Sequence, residues 1–167
     1  MKDLDRQHIF NQWLKQHRRL LFKIVHAYAF TLEDKDDLFQ EIAMQIWRSV
    51  PSFRGESAES TWLYRIALNT ALKWKAKEKK RIDNHSPMND MDVVLQVQDE
   101  IVDEKLGWLY SEISKLDKVD RSITLLMLDG FSYEEMADML GISKSNIGVK
   151  IHRIKKHLIT KSEQANM

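Results

Sequence analysis

The sequence contains no cysteine. That excludes disulfides, thiolate metal sites and cysteine nucleophiles, and it suits a reducing compartment. Glycine and proline are scarce, at 5 and 2 residues of 167, while Leu, Lys, Glu, Ala, Met and Ile abound, so the chain is expected to be mostly helical. No stretch approaches the roughly 18 consecutive apolar residues of a membrane span. The opening MKDLDRQHIF lacks the apolar run of a signal peptide. The expectation is a soluble cytoplasmic protein with no membrane insertion of its own. A Gly-rich phosphate loop, a nucleophile elbow and a His-Glu metal motif are all missing. His8, His17 and His26 recur every nine residues, which turns successive rings to opposite helix faces and sets the outer pair roughly 27 Å apart on a continuous helix. They cannot close a metal site. Neither a cofactor nor a catalytic residue is expected, so the chain is not read as an enzyme.

What the sequence does hold is segregated charge. Residues 1–81 carry 16 Lys/Arg against 10 Asp/Glu, residues 82–104 carry 7 acids and no Lys/Arg, and residues 105–167 carry 10 basic against 8 acidic side chains. Two cationic blocks flanking an anionic connector point to a polyanionic partner for the blocks, although charge runs are also common on ordinary wet surfaces. The expected architecture is all-α. Two small helical domains, 1–81 and 105–167, are joined by a flexible acidic linker over 82–104, where helical periodicity fades.

Within the first block, residues 5–30 show helical spacing through Ile9, Trp13, Leu20, Ile24 and Tyr28, as one long helix or two joined near His17. Thr31 and Asp34 open a second helix that stops at Pro51. Ser57 is the expected cap of a third helix running to about Lys79, a rod of roughly 35 Å. In the second block, helices are expected near Glu104–Leu116 and Lys118–Leu128, closed by Asp129-Gly130. Ser132 and Glu135 form a capping box for a short helix ending at Leu140. Gly141 then turns the chain, and Ser143 caps a last helix running to about Thr160.

The stretch SYEEMADMLGISKSNIGVKIHRIKKHL reads as a helix-turn-helix. Ala137 is small enough for a helix crossing, Gly141 supplies the turn, and Ile142, Ile147 and Ile151 bury the second helix on the first. The other face would carry Ser143, Lys144, Ser145, Asn146, Val149, Lys150, His152, Arg153, Lys155 and Lys156. Polar groups at the start of such a helix are placed for base edges in a major groove, and the later cations for phosphates. A helical hairpin with a basic outer face fits the same pattern. Gly148 is unusual inside this helix, where it costs up to about 1 kcal/mol relative to Ala.

The third helix ends in a basic run that includes Lys73, Lys75 and Lys77, an electrostatic track for phosphates. Upstream, Phe53, Trp62 and Asn69 offer an apolar wall, a stacking surface and an amide, a set suited to bases pulled from a stack. Equally, Trp62 and Ile66 are four residues apart and can share a buried stripe. In the second helix, Asp37, Gln40, Glu41 and Met44 fall at spacings of three and four and form one patch. It can meet a basic partner helix, or its acids can simply compensate the helix dipole.

Taken together, DDLFQEIAMQIW, SFRGESAESTWLYRIALNTA and LDGFSYEEMADMLGIS resemble signatures of the bacterial extracytoplasmic-function (ECF) group of RNA polymerase sigma factors, and the resemblance covers nearly the whole chain. It implies that Asp37, Gln40, Glu41, Met44 and Trp47 grip the clamp helices of the polymerase β′ subunit, with the β subunit as a further contact. It also implies that Phe53, Arg54, Gly55 and Ser57 shape a pocket for a flipped base of the minus-ten element. Trp62, Arg65 and Asn69, with the lysines beyond, would then help to melt the duplex and hold one strand. The last helix would read the minus-thirty-five element. Many relatives carry Arg where this chain has Gly148, so the minus-thirty-five sequence does not transfer. An anti-sigma factor is the remaining partner that the family implies.

Two other functions suit parts of the sequence. A dimeric helix-turn-helix regulator would leave the long basic helix and the FRGES loop without a purpose. A metal-dependent nuclease built on Asp36, Asp37 and Glu41 would need ligands from other elements, and none is evident.

Overall fold

The computed structural model describes residues 2–74 and 103–166. The chain divides into two compact units, Met1–Val102 and Asp103–Met167. All regular structure among the described residues is helical. The expected linker lies, apart from Asp103 and Glu104, outside the described residues, as do Lys75 and Lys77. Asp103 caps the helix that opens at Glu104, accepting from the Lys105 N–H at 3.1 Å.

The first unit is built from α1 (Asp3–Gln16), α2 (Arg18–Tyr28), α3 (Leu32–Ser49), a 3-10 turn (Val50–Ser52) and α4 (Glu59–Lys73). Of the two possibilities for residues 5–30, the structure takes the broken one. His17 leaves helical geometry at φ −107, ψ 21, while its N–H still reaches the Trp13 carbonyl at 2.9 Å. The bend lets α2 turn Leu21, Phe22, Ile24 and Val25 into a core shared with Leu38, Ile42 and Ile46 of α3 and Leu63, Tyr64, Ala67, Leu68 and Ala71 of α4. Helices α2, α3 and α4 pack on one another, and α1 lies against α3 and the 3-10 turn. The Phe22 and Phe39 rings stack at 5.3 Å between centroids. Thr31 caps α3 as expected, accepting from the Asp34 N–H at 3.1 Å.

Helix α4 departs from expectation at both ends. The cap position is Ala58, not Ser57, so the hydroxyl sits one residue too early and no side chain caps the helix. At the other end the helix stops at Lys73, six residues before Lys79. The Trp74 N–H closes the final turn on the Thr70 carbonyl at 2.9 Å, but its backbone is extended at φ −71, ψ 139. Fifteen helical residues give a rod of about 22 Å rather than 35 Å.

The second unit comprises α5 (Glu104–Ser114), α6 (Lys118–Leu128), α7 (Tyr133–Leu140) and α8 (Lys144–Ala165). Each start has a side-chain cap. Asp117 accepts from the Asp120 N–H, Ser132 and Glu135 form the reciprocal box, and Ser143 accepts from the Asn146 N–H. Gly130 and Gly141 adopt φ +82 and +70, a region that a Cβ makes costly, so the closures after α6 and α7 need glycine. Ile113, Ile123, Leu125, Leu126, Met136, Met139, Ile147, Ile151 and Ile154 form the core. Buried Arg121 donates to the carbonyls of Ser114 and Leu116 at 2.9 and 2.8 Å, satisfying the end of α5. Helix α8 continues to Ala165, past the expected stop at Thr160. The Thr160 hydroxyl donates to the Lys156 carbonyl at 2.9 Å without breaking the helix.

Candidate nucleic-acid interface

Residues at intervals of four on α3 (Asp37, Glu41, Gln45, Ser49) face Ile66, Asn69, Thr70, Lys73 and Trp74 of α4 across a groove of about 690 Å³. Such spacing is what two packed helices present along adjoining ridges. The predicted α3 patch is therefore divided. Gln40 and Met44 point to solvent, Met44 at 45% exposure, whereas Asp37 and Glu41 are half-buried and line the groove. Gln40 donates its amide to Asp36 Oδ2 at 3.2 Å. Asp37 Oδ2 accepts from the Trp74 indole N–H at 2.9 Å.

Trp47, foreseen as a polymerase contact, is half-buried, and residues of α1 meet its ring. The Arg6 guanidinium lies 4.2 Å from its ring centroid and donates to its carbonyl at 3.0 and 2.6 Å. Phe10 meets the ring edge-on at 5.3 Å. Trp47 thus ties α1 to the end of α3, and the cation stacked on an indole strengthens that tie.

The loop after α3 is pinned by its aromatic residue. Phe53 sits between buried Trp13 at 5.3 Å and Trp62 at 5.6 Å. Phe53 is half-buried rather than exposed, and Trp62 turns its ring into the same ladder instead of presenting an open stacking surface. Of the two uses foreseen for Trp62, packing at the edge of the core is the one its ring contact with Phe53 displays. What the ladder leaves exposed is Arg54, Gly55 and Ser57 in the loop and Asn69 and Lys73 on α4, with Arg65 half-buried. Gly55 has φ +72. A turn of that kind lets Arg54 and Ser57 stand out while Phe53 stays anchored.

On α8, the buried stripe Ile147, Ile151 and Ile154 leaves Ser143, Lys144, Ser145, Asn146, His152, Arg153, Lys155 and Lys156 exposed, with Val149 at 53% exposure. No acid occurs between Lys144 and Ser162, so Lys144, Arg153, Lys155 and Lys156 give this face a net positive charge matched to phosphates. Lys150 differs. Its ammonium reaches back to Asp120 Oδ1 on α6 at 3.3 Å, and its side chain is 24% exposed. Gly148 lies beneath Tyr133, where a Cβ would meet ring atom Cε2 at 3.6 Å, an ordinary contact.

Sequence reasoning missed Trp74, Arg6 and Tyr133. Trp74 stood inside the lysine run, and its indole is the group that crosses to α3. Arg6 had no partner at helical spacing, since its acceptor lies 41 residues away.

The Sigma-70 region 2 family matches residues 13–81 and the Sigma-70 region 4 family matches residues 106–158. The ECF RNA polymerase sigma-E factor of Haemophilus influenzae is 28% identical, with 91% of this chain and 86% of that protein covered. The corresponding factor of Escherichia coli is 29% identical, covering 93% and 87%. Two solved structures share the fold. CnrH in complex with the cytosolic domain of CnrY is 21% identical, with a TM-score of 0.63 over 95% of this chain and 90% of that one. The sigma factor RpoE of Bartonella quintana in complex with the anti-sigma factor NepR is 18% identical, with a TM-score of 0.55 over 89% and 93%. With one family match on each helical unit and relatives of nearly its own length, the chain belongs to the ECF sigma factors, the subunits that direct RNA polymerase to promoters.

Proposed function

We propose that the two units divide promoter recognition between them. In the first unit, the exposed positions Gln40 and Met44, with Glu41 at the groove edge, face the polymerase β′ clamp helices. Arg54, Gly55 and Ser57 hold an unstacked base of the minus-ten element beside Asn69, while Lys73 meets the backbone. Hydrogen bonds to the captured base offset part of the few kcal/mol required to extrude it. The Trp13–Phe53–Trp62 ladder fixes the loop so that this geometry exists before DNA arrives.

In the second unit, α8 enters the major groove at the minus-thirty-five element. Ser145, Asn146 and Val149 sit toward the bases and Lys144, Arg153, Lys155 and Lys156 toward phosphates. The observation that carries this arrangement is the clean division of α8 into a buried isoleucine stripe and an acid-free exposed face. An anti-sigma factor is the expected regulatory partner. RpoE of Bartonella quintana, which shares the fold, was solved with one, and that supports the assignment.

A dimeric helix-turn-helix regulator accounts for α7 and α8 alone and leaves the region 2 match without a role. The test is Asn69→Ala. Open-complex formation on a target promoter should fall at least tenfold while affinity for core polymerase stays within twofold of wild type. Unchanged opening would remove Asn69 from the melting apparatus.

A further inference from the structure

The hydrogen bond between Asp37 and Trp74 joins the two working faces of the first unit. Asp37 lies on α3, whose outer side is assigned to polymerase. Trp74 is the residue at which α4, the DNA-facing helix, ends and the chain turns extended. Its backbone N–H closes the last turn of α4 on Thr70, while its indole N–H donates to Asp37 Oδ2 at 2.9 Å in a partly buried setting. One residue therefore finishes α4 with its backbone and fastens that finish to α3 with its side chain, 37 residues earlier. The same two residues line the groove between the helices together with Glu41, Asn69 and Lys73.

We infer that Asp37 is a positioning residue for promoter opening, acting through Trp74. A charge-assisted hydrogen bond shielded from water holds its geometry better than an exposed one. Anchoring the end of α4 to α3 sets the helix axis and so the position of Asn69, five residues before Trp74. An error of about 1 Å at such a group is enough to cost an order of magnitude or more in a process that depends on alignment. Docking α3 on the polymerase thereby presents α4 to the DNA already aligned. The inference rests on the assignment of α3 and α4 made above and adds a physical link between them.

The experiment is a cycle of Trp74→Phe, Asp37→Ala and the double variant in the full-length chain, with core affinity and open-complex yield at saturating core measured separately. Trp74→Phe keeps an aromatic ring, smaller than the indole, and deletes the donor. It should leave core affinity within twofold of wild type and lower opening about fivefold, the effect of one ordinary hydrogen bond. The double variant should open no worse than Asp37→Ala alone, because both remove the same bond. Asp37→Asn, which retains an acceptor oxygen, should recover most of the opening lost in Asp37→Ala.

A second readout does not depend on transcription. The Trp74 indole proton, assigned by NMR, should exchange slowly in wild type and faster in Asp37→Ala. Wild-type opening by Trp74→Phe, multiplicative deficits in the double variant, or an indole proton indifferent to Asp37 would each overturn the inference. A wild-type chain that fails to select any start site would instead defeat the sigma-factor assignment, so the two failures are distinguishable.

Discussion

Lys150 of the DNA-facing helix α8 is held at 3.3 Å by Asp120 of α6. A cation within the basic stretch is thereby spent inside the unit, two residues before the exposed His152 and Arg153. The pair is partly covered, with side chains 24% and 25% exposed, and it ties α8 to α6.

Substituting Lys150 therefore has a different signature from substituting its neighbours. Lys150→Ala should destabilise the second unit by about 0.5–1 kcal/mol, the upper end for a partly solvated ion pair. It should also weaken duplex binding without altering the salt dependence. Lys155→Ala should leave stability unchanged and reduce the slope of log affinity against log salt by about 1. Urea denaturation and binding titrations at several salt concentrations separate the two. A reduced slope for Lys150→Ala would return that residue to the phosphate contacts.

Acid should loosen the same corner of the domain. The backbone N–H of Asp120 holds the Asp117 carboxyl below its ordinary value of 3.8, against a smaller opposing effect of burial, and Lys150 adds a favourable charge. A carboxyl depressed by folding contributes stability that is fully present above its unfolded value and disappears as pH falls through the lower folded value. The contribution of Asp117 is thus intact at neutral pH and is lost progressively as pH falls from 3.8 through the lower folded value. Asp117→Asn retains the cap and should flatten the acid limb of the stability curve. Asp117→Ala should cost about 1 kcal/mol at neutral pH. Equal acid limbs for wild type and Asp117→Asn would contradict the assignment.

Gly148→Ala is expected to stabilise the second unit. The position is helical, the added Cβ would rest 3.6 Å from the Tyr133 ring, and Ala is favoured over Gly within a helix by about 0.5–1 kcal/mol. The thermal midpoint should rise by a few degrees. A fall would mean that Tyr133 cannot share the space.

Phe53 separates packing from recognition in the loop. Phe53→Ala removes the middle ring of the ladder and should destabilise the first unit by about 2–3 kcal/mol, somewhat less than a fully buried Phe. Arg54→Ala, at an exposed position, should leave the denaturation midpoint unchanged while impairing opening. Equal stability effects of the two substitutions would refute the anchoring role of Phe53.

Elements whose signals are local were legible in the sequence. Thr31, the Ser132–Glu135 box, Gly141 and Ser143 each mark a helix boundary through groups within three or four residues, and each appears where expected. The apolar periodicity of α8 likewise announced its buried face. What was not legible depends on partners distant in the chain. Phe53 is half-buried because Trp13 lies beneath it, Trp47 is covered because Arg6 and Phe10 reach it, and Lys150 is diverted by a carboxylate 30 residues away. No helical or strand period encodes such meetings. The end of α4 belongs with them. Nothing local marks Lys73 as its last residue; Trp74 is extended there, with its indole on Asp37 of α3.

The central claim is that this chain, added to core RNA polymerase, chooses where transcription begins. Its most direct test is reconstitution of the purified full-length chain with core enzyme on genomic DNA, followed by mapping of transcript 5′ ends. The account predicts a discrete set of starts that share upstream elements and vanish with Asn69→Ala. Starts no different from those of core enzyme alone would contradict it.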